Sequence, residues 1–148
     1  MTHSPTIILR HRRENLKKCS LRGLEGREGL SFYTYPQDPL PDLTGYLLLT
    51  MGAPPLTSAD ANHGILLIDG TWRLAQIMEK QTQKLEARSL PSYRTAYPRR
   101  QTDCPDPTTG LSSVEALFLA HRILGRPYED LLDHYYWKES FLRLNEFL

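Results

Sequence analysis

The sequence predicts an α/β fold with a mostly parallel sheet, and three observations carry that reading. Ile65-Leu66-Leu67-Ile68 is an unbroken apolar run, the pattern of a strand covered on both faces. The run ends in Asp69-Gly70-Thr71-Trp72, and helical spacing of Leu74, Ile77 and Met78 begins at once. Farther on, Ser112-Ser113-Val114-Glu115 is a capping box that opens a second helical pattern.

The other elements follow in order. Thr6 to Leu9 is short and β-rich, a first strand. The polar stretch from Arg10 to Gly29, broken by Gly23, Gly26 and Gly29, predicts a loop with at most one helical turn. Leu30 to Tyr33 predicts a second strand, ended by Tyr35-Pro36. Pro36 to Pro41 is a proline-rich surface link, and Gly45 to Leu49 a third strand. Thr50 to Pro55 holds too much glycine and proline for regular structure, and Thr57 can cap a short helix before Ile65. The helix from Arg73 takes Leu74, Ile77, Met78 and Leu85 as its apolar positions and fades before Leu90-Pro91. Ser92 to Gly110 predicts a long irregular binding loop carrying Tyr93, Arg94, Tyr97, Arg99 and Arg100. The helix after Ser112 stops at Gly125. Pro127 suits the start of another, and Tyr128 to Leu148 predicts a last helix or two.

Size and composition bound the function. The 148 residues suit one domain, 1–148, with a core of its own. No apolar run is long enough to span a bilayer. The charges follow the first apolar stretch instead of preceding it, so a secretory signal is not expected and the protein is read as cytoplasmic. Cys19 and Cys104 form no Cys-x-x-Cys pair, so free thiols and no metal site are expected. The sequence lacks a G-x-G-x-x-G or P-loop phosphate motif and a G-x-S-x-G elbow, and its histidines lack metal-ligand spacing.

Net charge is only +1, but its distribution is uneven. Arg10, Arg12, Arg13, Lys17 and Lys18 crowd the first 30 residues, and Arg99 and Arg100 form a second group. Charge of this kind fits phosphate-backbone contacts and fits an ordinary solvated face equally well. Several loops are expected to follow strands: Leu49-Thr50, Asp69 to Trp72, Leu90-Pro91, Tyr97-Pro98 and Leu111 to Ser113. Ligands of open α/β sheets bind at such junctions, and a pocket walled by loops suits an adenosine-like ligand.

The ordered set Lys17-Lys18-Cys19-Ser20, Ser58-Ala59-Asp60, Asp69-Gly70-Thr71-Trp72, Leu90-Pro91, Ala96-Tyr97-Pro98 and Leu111 to Ala116 resembles the DTW-domain family, and most closely its Tsr3-type branch of aminocarboxypropyltransferases. The resemblance implies a single SPOUT-like domain with a carboxyl-terminal trefoil knot. It implies S-adenosylmethionine as donor, no metal, and transfer of the 3-amino-3-carboxypropyl (acp) group to a uridine-type base in structured RNA, releasing 5'-methylthioadenosine. Asp69-Gly70-Thr71-Trp72 follows the tRNA-modifying branch, whereas a lone Cys19 in place of an amino-terminal cysteine cluster follows the Tsr3-type branch. The target, tRNA or small-subunit rRNA, within a ribosomal particle or outside it, therefore stays open, as does oligomeric state.

On this resemblance Ser20, Leu49, Thr50, Asp69, Trp72, Leu90, Tyr97, Leu111 and Ser112 are the expected donor-binding residues. Asp69 is the first choice of general base and Asp60 the second. Arg10, Arg12, Arg13, Lys17, Lys18, Arg99 and Arg100 are the expected RNA contacts. Two other activities fit the same residues: a SPOUT-like RNA methyltransferase, and a non-catalytic RNA-binding or ribosome-assembly module.

Overall fold

A five-stranded parallel sheet organises the computed structural model, which describes residues 4–13, 19–70, 72–82, 84–98 and 110–148, with Trp72 described in its backbone alone. The strands are β1 (Thr6–His11), β2 (Leu30–Tyr35), β3 (Tyr46–Leu49), β4 (Gly64–Asp69) and β5 (Glu86–Arg88), in the order β2-β1-β4-β3-β5. Every adjacent pair is parallel. The expected α/β class and parallel sheet are therefore present. The apolar run of β4 lies at the centre, between β1 and β3, which is why it does not alternate.

Successive residues of the strands feed opposite faces. Ile8, Leu47, Leu49, Ile65 and Leu67 join one core with α2 (Ser113–Leu124) and with Phe141 of α3 (Lys138–Leu144). Ile7, Leu9, Tyr46, Leu48 and Leu66 join the other with Met78 of α1 (Trp72–Glu79). Burying one such side chain stabilises the fold by roughly 1.5–3 kcal/mol. Gly64 permits the close packing of β3 on β4, since a Cβ there would lie 2.5 Å from Tyr46 Cζ.

The capping box expected at Ser112 is formed, and Gly125 closes α2 with φ 74°. Thr57 caps a 3₁₀ turn, Ser58–Asp60, in the same reciprocal way.

Three local expectations are corrected. The helix after Trp72 ends at Glu79, and a 3₁₀ turn, Lys80–Thr82, leads into β5. Glu86-Ala87-Arg88 has little strand propensity, yet it pairs with Leu47, Leu48 and Leu49 and completes the edge beyond β3. The helix expected at Pro127 is instead a series of tight turns, with Leu131 N–H bonded to Tyr128 O and Tyr135 N–H to Leu132 O. These turns bury Leu131, Leu132 and Tyr135 against the core that α2 and Phe141 share. Finally, β1 runs on to His11, so Arg10 belongs to a strand and not to a loop.

No helix among the described residues is long and apolar enough to cross a membrane.

Candidate functional site

Strands β3, β4 and β5 run in the same direction, so the chain leaves all three at one edge of the sheet. A cleft of about 1270 Å³ opens there. One wall is the segment after β3, including Leu49, Thr50 and Gly52. A second is the segment after β5, including Ser89, Leu90 and Pro91. The amino-terminal turn of α2 with Leu111, Ser112 and Ser113 forms a third, and α1 flanks the opening.

Backbone bonds hold the first two walls together: Thr50 N–H bonds to Arg88 O, Leu56 N–H to Ser89 O, and Ser89 N–H to Pro54 O. Ser89 Oγ donates to Ala53 O at 2.6 Å. Five expected donor-binding residues, Leu49, Thr50, Leu90, Leu111 and Ser112, line this cleft.

Asp69 ends β4 beneath the cleft but does not line it. It is 3% exposed, and both oxygens are engaged. Oδ2 accepts from Arg10 Nε at 3.0 Å and from Cys19 Sγ at 3.2 Å, and Oδ1 accepts from Ser113 Oγ at 2.8 Å. Asp69 thus joins β4 to β1, to the loop after β1 and to the start of α2.

Arg10 is only 7% exposed. Besides Asp69 it donates to Glu25 Oε2 at 3.1 Å and to Cys19 Sγ at 3.4 Å, and it lies over the Phe32 ring at 4.9 Å. Burial opposes its charge, but the bond to Asp69 and the charges around it outweigh burial and raise its pKa. This guanidinium faces inward, so the structure does not offer it to RNA phosphates as expected. Burial first, and the Asp69 charge second, push the Cys19 thiol up to about 12.

Asp60 is buried in the turn before β4, where its Oδ2 accepts from Thr57 N–H at 3.1 Å and from Arg88 Nε at 3.3 Å. It does not line the cleft either. Ser20 Oγ accepts from Val114 N–H at 3.1 Å and so serves α2. Tyr97 lies against Tyr135, with parallel rings 6.5 Å apart, outside the cleft lining. Arg12 and Arg13 are exposed beyond β1. Lys17, Lys18, Arg99, Arg100 and the Trp72 side chain lie outside the described residues.

Two carboxylates emerge that sequence reasoning did not single out for the site. Glu79 lines the cleft and accepts from Thr50 Oγ1 at 2.9 Å. Its bond to Thr50 spans 29 positions, which no local pattern reveals. Glu115 was expected only to cap a helix, yet it is fully buried and gathers donors from three segments. Thr95 Oγ1 donates to it at 2.6 Å, Ala96 N–H at 2.8 Å, Ser112 N–H at 2.8 Å and Tyr135 Oη at 3.0 Å. Burial and the Glu115 charge push the Tyr135 hydroxyl pKa strongly upward, so it stays a donor.

No family model and no curated protein matches the chain. Among solved structures, one described as the SAM-dependent rRNA:acp-transferase Tsr3 from Vulcanisaeta distributa is similar in fold, with a TM-score of 0.70 at 22% identity. The similarity covers 97% of this chain and 79% of that one.

Proposed function

We propose that the cleft binds S-adenosylmethionine and that the protein transfers its acp group to a uridine-type base in structured RNA, tRNA or small-subunit rRNA. The reading is supported by a loop-walled cleft at the carboxyl ends of β3 and β5, in a chain whose fold resembles that of the Tsr3 structure. It includes the SPOUT-like single domain, 1–148, with its knotted carboxyl-terminal part.

The cleft has room for the donor, and its apolar walls with a few polar groups are the mix that small-molecule sites offer. Leu49 and Leu90 give an apolar wall where the donor's methyl group is shielded. The turn at Leu111 and Ser112 faces the adenosine. Shielding the methyl leaves the side-chain carbon as the one an incoming nucleophile reaches in line.

The new bond joins the base's imide nitrogen to that carbon. The carbon–sulfur bond breaks, sulfur keeps its electron pair, and 5'-methylthioadenosine leaves. The imide proton needs an acceptor. We assign it to Glu79, the carboxylate that lines the cleft, in place of Asp69, whose two oxygens are engaged by neighbouring donors, and Asp60, which lies off the cleft and is paired with Arg88. Asp69 then acts as a positioning residue.

The test uses S-adenosylmethionine labelled with ¹⁴C in the carboxyl group and ³H in the methyl group, incubated with transcribed small-subunit rRNA and, separately, transcribed tRNA. The proposal expects ¹⁴C in one RNA and ³H in the released nucleoside. Tritium entering the RNA would establish a methyltransferase instead. Label entering neither RNA would favour a non-catalytic module.

A further inference from the structure

The outward stripe of α1 is a surface that the activity above does not require. Arg73, Gln76, Ile77 and Lys80 are spaced i, i+3, i+4 and i+7, so they form one face across α1 and the turn after it. All four are exposed, and all four border the cleft. Neither Arg73 nor Lys80 has an acidic partner among the described residues, whereas Arg88 on the same cleft is paired with Asp60 and Glu86. Ile77 is 45% exposed, and Met51, across the opening, is 56% exposed. Large apolar side chains held at the mouth of a cleft, between unpaired cations, form a contact surface of defined chemistry.

A base attacked inside the cleft must leave its stack to get there, and unstacked bases are held by apolar or planar groups while phosphates meet cations.

We infer that this α1 stripe, with Met51 opposite, is where an RNA strand docks and delivers an extruded base into the cleft. This rests on the transferase reading above. Arg73 and Lys80 meet the phosphates on either side of the extruded nucleotide. Ile77 and Met51 cover its faces, and the Gln76 amide meets its polar edge as donor and acceptor. Docking from this side brings the base past Gln76 toward Glu79, the next polar side chain that lines the cleft along α1. The surface that reads RNA is thus the helix after β4, and not Arg10, whose charge is spent inside the fold.

The test compares wild type with the Arg73→Glu/Lys80→Glu double variant for binding to transcribed small-subunit rRNA and tRNA across a salt series. The thermal melting temperature serves as the check on folding. The inference expects RNA affinity to fall more than tenfold at 150 mM salt, and the salt slope to shrink by roughly 1–2, as lost phosphate contacts require. An unchanged slope and affinity would overturn it, as would a wild-type protein that binds neither RNA.

A second variant, Ile77→Cys in a Cys104→Ser background, carries a thiol-linked photocrosslinker. It should capture RNA, while Leu144→Cys on α3 should not. Equal capture at both positions would remove α1 from the interface. Transfer is read separately: wild type that docks RNA through α1 without consuming S-adenosylmethionine would sink the transferase reading and leave the docking surface standing.

Discussion

Arg10 and Asp69 lie opposite one another on neighbouring parallel strands, and their side chains close a buried salt bridge of 3.0 Å under the cleft. The pair turns two residues that sequence placed in separate roles, phosphate contact and general base, into one structural unit. Cys19 and Ser113 complete it, so the loop after β1 and the start of α2 share the anchor that ends β4.

Removing one partner of a buried ion pair leaves the other charge uncompensated, which costs about 3–5 kcal/mol. Asp69→Ala should therefore lose stability on that scale in urea unfolding. Asp69→Asn, which retains an oxygen to accept from Ser113, should lose less. Unchanged stability with abolished turnover would return Asp69 to the role of base.

Glu79→Gln keeps the shape of the cleft and the possibility of a bond from Thr50 but removes the proton acceptor. Its turnover should drop by about 10²–10⁴-fold. Affinity for S-adenosylmethionine should stay within a few-fold of wild type in calorimetric titration. A drop below tenfold would mean the proton leaves by another route.

Glu115 connects the 95–96 segment, the α2 amino terminus and Tyr135. Glu115→Ala strands buried donors, each at about 1–3 kcal/mol. The Leu111–Ser113 wall loses its brace, so the KM for S-adenosylmethionine should rise at least tenfold while kcat changes less. A kcat loss without a KM change would contradict this division.

The Cys19 thiol is held up to about 12, above its ordinary value of 9.0. Because the folded value is the higher one, its contribution is whole below pH 9 and is lost as pH climbs from 9 to 12. The melting-temperature advantage of wild type over Cys19→Ala should shrink across that window, with groups common to both proteins cancelling. Iodoacetamide at pH 8 should modify Cys19 of the native protein far more slowly than after unfolding. A pH-independent difference between the two proteins would contradict the assignment.

The parts of the fold legible in sequence were those with a local or periodic cause. The β4 run was readable because a central strand is apolar on both faces, and Ser112 was readable because a capping box lies within four residues. Leu49, Thr50 and Leu90 followed from the rule that loops at strand ends build pockets, whereas Leu111 lies before α2 with no strand leading into it among the described residues. The remainder has long-range causes. Strand β5 exists because β3 offers an edge, and not because Glu86-Ala87-Arg88 favours extension. Arg10 looked like part of a basic surface run until pairing set it beside Asp69, 59 positions away. Glu115 read as a cap because three of its four donors were distant enough in sequence, or hidden enough in the backbone, to leave no pattern.

The central claim is the bond broken in the donor. The direct measurement is mass spectrometry of the nucleoside released from S-adenosylmethionine, with and without unmodified RNA. Acp transfer predicts 5'-methylthioadenosine rising only when RNA is present. S-adenosylhomocysteine in its place would contradict the account.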